Sequence, residues 1–160
     1  MREKQLPAPI FFLRHGQTNW NLERKLQGLN DVSLNKAGLQ QAKSMVPLVE
    51  SLEINSCICS PMLRARQTLE QLQLNCSVRF DPAWQEISIA RQSSHSLRLT
   101  TAALNSLKAN TLIISHGSVF DALCHSLAIP KKTLNNCSLV EISTCRAIQI
   151  HHSGYPLMDC

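Results

Sequence analysis

Long apolar runs are missing from this 160-residue chain, and none approaches the roughly 20 residues that cross a bilayer as a helix. The charged stretch Met1–Gln5 is not followed by the apolar core of a secretion signal, so the protein is expected in the cytoplasm, with no membrane partner. Aromatics are scarce as well. One Tyr and two Trp leave little surface for stacking bases, and the basic residues are scattered, so nucleic acid is not expected as a partner. There is no C-x-x-C pair, no Cys/His set at zinc spacing, and the seven cysteines are odd in number. They are read as free, mostly buried thiols in a reducing compartment. Cys57 and Cys59, on an apparent strand, are expected on opposite faces.

Three catalytic frameworks are lacking too. No G-x-x-x-x-G-K-[ST] loop is present, which excludes a P-loop. Cys59 leaves four residues before Arg64 and Cys57 leaves six, one too few and one too many for a cysteine phosphatase. Clustered carboxylates and histidines for a pair of metal ions are not evident, and His151-His152 reads as a solvated tail. No metal and no cofactor are expected.

What is present suits one globular domain: 44% apolar and 17% charged residues, without repeats or low-complexity segments. A single domain over 1–160 is expected, with its core at about 10–150 and a short lead-in and tail. A formal charge of +5 draws anions at long range.

Ile10–Leu13, Ser56–Ser60, Val78–Phe80 and Thr111–Ser115 read as strands, and Ser138–Ile142 with Arg146–Ile150 as a hairpin or sheet edge. Helices are predicted from Ser33 to about Leu52, kinked at Pro47, with Leu39, Ala42, Met45 or Val46, and Val49 inward. Further helices are predicted after a Ser60 cap with Pro61 in the first turn, over Ser94–Leu107, and over Val119–Leu127. Strands alternating with helices imply an α/β fold: a single-domain three-layer sandwich with a mostly parallel central sheet flanked by helices. In such sheets function gathers at the carboxyl ends of the strands.

Three segments share that placement. Leu13 leads into Arg14-His15-Gly16-Gln17-Thr18, Ser60-Pro61-Met62-Leu63 leads into Arg64, and Ser115 leads into His116-Gly117-Ser118. A lone histidine or arginine at a strand end is commonly structural. Three such placements together bring two histidines and two arginines to one rim, a set suited to phosphoryl transfer. Arginine binds phosphate through two parallel charge-assisted hydrogen bonds. A neutral imidazole is a competent nucleophile near pH 7, and adjacent guanidinium charges keep it neutral.

Phe12-Leu13-Arg14-His15-Gly16-Gln17-Thr18-Asn19-Trp20-Asn21 resembles the R-H-G-[EQ]-T-x-x-N signature of the histidine phosphatase superfamily, phosphoglycerate mutase-like branch. Cys59-Ser60-Pro61-Met62-Leu63-Arg64-Ala65-Arg66-Gln67-Thr68 resembles its S-x-L-x-R-A-x-Q-T segment, and Ser115-His116-Gly117 its later S-H-G. The likeness runs from about Ile10 to Ile142. It implies His15 as the nucleophile, with Arg14, Arg64 and His116 forming the phosphate pocket. Asn21 falls at a family position that contacts the phosphoryl group, and Gln27 and Gly28 fall where the branch approaches phosphate or substrate. Glu86, in Trp84-Gln85-Glu86-Ile87, matches the family's catalytic glutamate, the general acid that protonates the leaving oxygen, with Trp84 and Ile87 as apolar neighbours.

The chain departs from its relatives after Glu86. Many members continue with G-x-x-E-G and a long insertion over the site, whereas this chain has Ser88-Ile89-Ala90-Arg91-Gln92-Ser93 and soon the next predicted helix. The lid is expected to be short or absent, which favours hydrolysis by entering water. The resemblance thus implies a metal-independent phosphomonoester phosphatase acting on a small phosphorylated metabolite, as a monomer or homodimer. Its rivals are a phosphohistidine or phosphoprotein phosphatase, a phosphoglycerate mutase-type phosphotransferase, and a non-catalytic phospholigand-binding relic.

Overall fold

The computed structural model describes residues 7–88, 99, 101–143 and 148–151. Its centre is a six-stranded sheet of β1 (Ile10–Arg14), β2 (Ser56–Cys59), β3 (Ser77–Phe80), β4 (Thr111–Ser115), β5 (Leu139–Ile142) and β6 (Ile148–His151). The strands lie in the order β3-β2-β4-β1-β5-β6. The pairs β3–β2, β2–β4 and β4–β1 are parallel, while β5 and β6 are antiparallel at one edge. This is the expected mostly parallel α/β sandwich. The helices are α1 (Asn19–Leu22), α2 (Lys36–Ser44), α3 (Val46–Glu50), α4 (Leu63–Leu72), α5 (Thr101–Asn105) and α6 (Gly117–Ser126), with a 3-10 turn at Pro82–Trp84. Among the described residues no helix is long and apolar enough to cross a membrane.

β1 and β4 are continuous apolar runs because both of their faces are covered. Phe11, Leu13, Leu112 and Ile114 pack with Ala42, Met45, Ala65 and Leu72 of the α2–α4 layer. Ile10, Phe12 and Ile113 pack with Trp84, Val119, Phe120 and Leu123 on the other face. The rings of Phe12 and Phe120 meet there at 5.1 Å and 50°, a tilted pair worth about 1 kcal/mol beyond burial. Cys57 and Cys59 belong to the same face. Side chains two residues apart on a strand point the same way, so the expectation of opposite faces fails on that period. Cys57, Cys59, Cys124 and Cys137 are buried free thiols. Burial pushes Cys124 up to about 11 and Cys59 and Cys137 to about 12, which leaves them inert as nucleophiles.

Several boundaries differ from expectation. The first long helix starts at Lys36 rather than Ser33, capped by the side chain of Asn35, which accepts from the Gly38 amide at 2.8 Å. It breaks at Met45, and Pro47 falls in the first turn of α3, where its missing N–H costs nothing. Leu39, expected inward, is 36% exposed. Pro61 lies ahead of α4, which starts at Leu63 without a cap from its own N-cap residue, Met62. Asp31 fills that role from the preceding loop, accepting from the Leu63 amide at 2.6 Å. The predicted helix over Ser94–Leu107 is seen as α5, and its residues 94–98 and 100 lie outside the described residues. His151 is the last residue of β6, beside Glu141 at 3.2 Å, rather than part of a solvated tail.

Candidate active site

Sheet register assembles the site. Leu13 is level with Ile114 and Arg14 with Ser115, while Cys59 is level with Ile114. The residues that step off β1, β2 and β4 are therefore His15, Ser60 and His116, side by side at the carboxyl rim. The His15 amide continues the ladder by donating to the Ser115 carbonyl at 3.0 Å. The His15 and His116 rings stand 5.2 Å apart at 59°.

His15 is 2% exposed. Its Nδ1 lies 2.7 Å from the Gly16 carbonyl, which can only accept, so Nδ1 carries the proton and Nε2 presents a lone pair. Burial pushes its pKa well below the ordinary histidine value, and the Arg14 and Arg64 charges push the same way. The Gly16 bond opposes them. The ring is neutral and oriented.

The signature residues around His15 hold its loop. The Gly16 amide donates to Thr68 Oγ1 at 3.0 Å, and that hydroxyl donates to the Arg64 carbonyl at 2.8 Å. One threonine thus couples the loop to the turn of α4 that carries Arg64. Gly16 and Gly38 let two backbones meet: a Cβ on Gly16 would sit 2.5 Å from the Gly38 carbonyl oxygen, and one on Gly38 would sit 2.1 Å from that of Gln17. Thr18 and Asn21 form the capping box of α1. Asn21 Oδ1 accepts from the Thr18 amide at 3.0 Å, which fixes the amide so that Nδ2 is left for the cleft.

Arg64 and His116 are fully buried. Arg64 Nη1 donates to the Asn30 carbonyl at 2.9 Å and Nη2 to that of Gly28 at 3.1 Å. Arg14 Nη1 donates to the Leu134 carbonyl. Burial draws both guanidinium pKa values down while Glu86 raises them, and a guanidinium stays charged regardless. His116 Nε2 lies 2.7 Å from Ser60 Oγ. Its pKa also falls well below the ordinary value, first through burial, then through His15, Arg64 and Arg14. Three buried nitrogens here, Arg14 Nε, Arg64 Nε and His116 Nδ1, have no hydrogen-bond partner.

Glu86 bridges these groups. Oε2 is 3.6 Å from Arg64 Nη2 and 3.7 Å from His116 Nδ1, while Oε1 accepts from the Ile87 amide at 2.9 Å and from the Ser118 hydroxyl. The expected apolar surroundings are only half present. Trp84 is fully buried in the core, its carbonyl accepting from Ser115 Oγ at 2.6 Å, and the carboxyl itself faces charge and hydrogen-bond donors.

An open cleft of about 280 Å³ is lined by Arg14, His15, Asn21, Gln27, Gly28 and Glu86, together with Lys25, Leu26, Gly117, Ser118, Asp121, Lys131, Thr133 and Leu134. Every residue singled out from the sequence is thus in the cleft or, for Arg64 and His116, against Glu86 beside it. Four contributors escape sequence reading. Thr68 and Ser60 stand in a quoted motif but read as a helix residue and a strand-end cap, and the Ser60 hydroxyl bonds His116 as well as accepting from the Met62 amide at 3.3 Å. Ser118 lies two residues past His116, where the turn into α6 aims it at Glu86. Asn136 belongs to no motif.

The family model of the histidine phosphatase superfamily (branch 1) matches residues 10–98, more than half of the chain. A probable phosphoglycerate mutase GpmB of Shigella dysenteriae is 34% identical over 94 residues, 57% of this chain and 44% of that protein. The GpmB of Erwinia tasmaniensis is 37% identical over 82 residues, 50% of this chain and 38% of that protein. The chain spans less than half the length of these curated relatives. Among solved structures, mycobacterial glucosyl-3-phosphoglycerate phosphatase in complex with VO3 superposes with a TM-score of 0.70 at 18% identity, covering 92% of this chain and 99% of that one. Phosphoserine phosphatase of Entamoeba histolytica gives 0.64 at 17% identity, covering 91% and 96%. At such identities the structural likeness speaks for the fold, and with the sequence match it makes this chain a member of the histidine phosphatase superfamily, in the phosphoglycerate mutase-like branch.

Proposed function

We propose that the protein is a metal-independent phosphomonoester phosphatase that forms a phosphohistidine on His15 and acts on a small phosphorylated metabolite. One observation carries the reading: three buried nitrogens, Nε of Arg14, Nε of Arg64 and Nδ1 of His116, lack hydrogen-bond partners beside an imidazole whose Nε2 holds a free lone pair. Buried donors left unpaired are costly, and an anion with several acceptor oxygens satisfies them together. Arg14 and Arg64 supply the positive charge that phosphoryl transfer elsewhere takes from metal ions. The Glu86 carboxyl group stands against Arg64 and His116 in the free protein, and an incoming phosphoryl group takes its place there with Glu86 entering the first step protonated.

In the first step His15 Nε2 attacks phosphorus, the N–P bond forms, and the bond to the leaving oxygen breaks as Glu86 delivers its proton. The ring gains positive charge, which the Nδ1–H bond to the Gly16 carbonyl disperses. In the second step water attacks phosphorus, Glu86 takes the water proton, the N–P bond breaks and phosphate leaves with neutral His15 restored. Ser60 holds His116 with Nδ1 toward Glu86, where an N–H donor stabilises the equatorial oxygens.

The test is p-nitrophenyl phosphate hydrolysis in EDTA by wild type and His15→Ala. Wild type turns over and the variant falls to background. Loss of wild-type activity on chelation overturns the metal-free mechanism, and activity surviving in His15→Ala overturns the nucleophile. Phosphate release from 3-phosphoglycerate, against its conversion to 2-phosphoglycerate, separates hydrolysis from the mutase activity named for the curated relatives.

A further inference from the structure

The residues before β5 approach the His15 loop from the far end of the chain. The Arg14 amide donates to the Ser138 carbonyl at 3.2 Å, and the Cys137 amide donates to the carbonyls of Arg14 at 3.0 Å and His15 at 3.2 Å. Cys137 adopts a positive φ of 54° to aim that amide, a conformation that residues other than Gly, Asn and Asp seldom take. At the centre of this grip, half-buried Asn136 places Nδ2 3.1 Å from the His15 carbonyl, 3.3 Å from the Gly16 carbonyl and 3.2 Å from Asn21 Oδ1. Its two hydrogens are shared among three acceptors. Each acceptor belongs to the phosphoryl site: Gly16 O receives the proton of His15 Nδ1, and Asn21 Oδ1 is the back of the amide whose Nδ2 is left for the cleft.

We propose that Asn136 is a positioning residue, one amide that sets the nucleophile loop at a fixed distance from the phosphate donor on Asn21. The assignment rests on the reading of His15 as nucleophile. Thr18 already fixes which way the Asn21 amide faces, so what Asn136 adds is the tie between that amide and the His15–Gly16 backbone. Without it the donor and the attacking nitrogen are held by separate segments, and near-attack geometry is lost more than affinity, because Arg14 and Arg64 still hold the anion.

The test is a cycle of wild type, Asn21→Ala, Asn136→Ala and the double variant, with Asn136→Asp as an isosteric change that removes the donor. Aryl phosphate turnover is normalised to folded protein, and inorganic phosphate affinity is measured on the same samples. Asn136→Ala and Asn136→Asp lower kcat about tenfold with KM within about twofold, and Asn136→Ala costs less than about twofold once Asn21 is Ala. Wild-type kcat in Asn136→Asp overturns the proposal, and so does an equal loss in both backgrounds, which marks a purely structural residue. If Asn136→Ala does not fold, Asn136→Asp alone decides, on the kcat and KM split. Should the wild type hydrolyse no phosphomonoester, the phosphatase reading fails separately. The cycle is then read on phosphate binding, where non-additivity supports the tie and additivity overturns it. No phosphate binding by wild type overturns both.

Discussion

Two neutral histidines buried side by side make stability depend on pH in a set direction. His15 is 2% and His116 0% exposed, and both have pKa values held well below that of an exposed imidazole. Unfolding releases them to about 6.5, so below that pH the unfolded chain takes up protons that the folded chain refuses. Because the folded values are depressed, stability is fully present above pH 6.5 and is lost as pH falls from there toward the folded values. Each histidine costs on the order of 1 kcal/mol at pH 5.5 and almost nothing at 7.5, and the pair costs roughly twice that. Urea denaturation in phosphate-free buffer at the two pH values measures it. His15→Gln and His116→Gln should each remove roughly half of the pH-dependent loss, since every other titrating group is common to variant and parent. A loss of equal size in wild type and both variants would refute the argument, and so would stability that rises on acidification.

Gly38→Ala drives a Cβ to 2.1 Å from the Gln17 carbonyl and should cost about 3 kcal/mol; a wild-type urea midpoint would mean that the two backbones separate freely. Asp31→Ala removes the distant cap of α4 and should cost about 1 kcal/mol, with Asp31→Asn retaining most of it. Ser60→Ala should lower kcat about tenfold through a misoriented His116 and cost about 1–3 kcal/mol of stability by leaving the buried His116 Nε2 unpaired; wild-type kcat in a folded Ser60→Ala would refute the role. Orthovanadate in EDTA-free buffer should inhibit hydrolysis and stabilise the fold by about 2.7 kcal/mol at a hundred times its Kd, measured by thermal melting; no shift would argue against an oxyanion pocket.

Much of this arrangement is legible in the sequence for identifiable reasons. Thr111–Ser115 and the run from Ile10 read as strands because parallel strands covered on both faces are apolar throughout, and no loop shows that pattern at that length. Arg14, His15 and His116 follow from the rule that strand ends carry function, since the register of β1 and β4 leaves the two histidines level. Helix edges are less legible. Leu39 keeps helical spacing yet faces water, and the cap of α4 is an aspartate 32 residues earlier, which no local window reveals. Asn136 is invisible for the same reason on a larger scale: its acceptors are 115 to 121 residues away. Sequence pattern reports what a residue does for its own element, and these side chains act on other elements.

β1 is synthesised well before its sheet neighbours β4 and β5, with Ile10 opposite Thr111 and Leu13 opposite Leu139. On the ribosome it waits on the order of 10 s for partners that are still unmade. Until then the loop bearing His15 has no ladder to end on, and the entropy of closing so long a loop is met only when β4 and β5 arrive. On the proposed mechanism the His15 site is therefore complete only once β4 and β5 have joined β1, and an unfinished chain carries the histidine without the neighbours that would activate it.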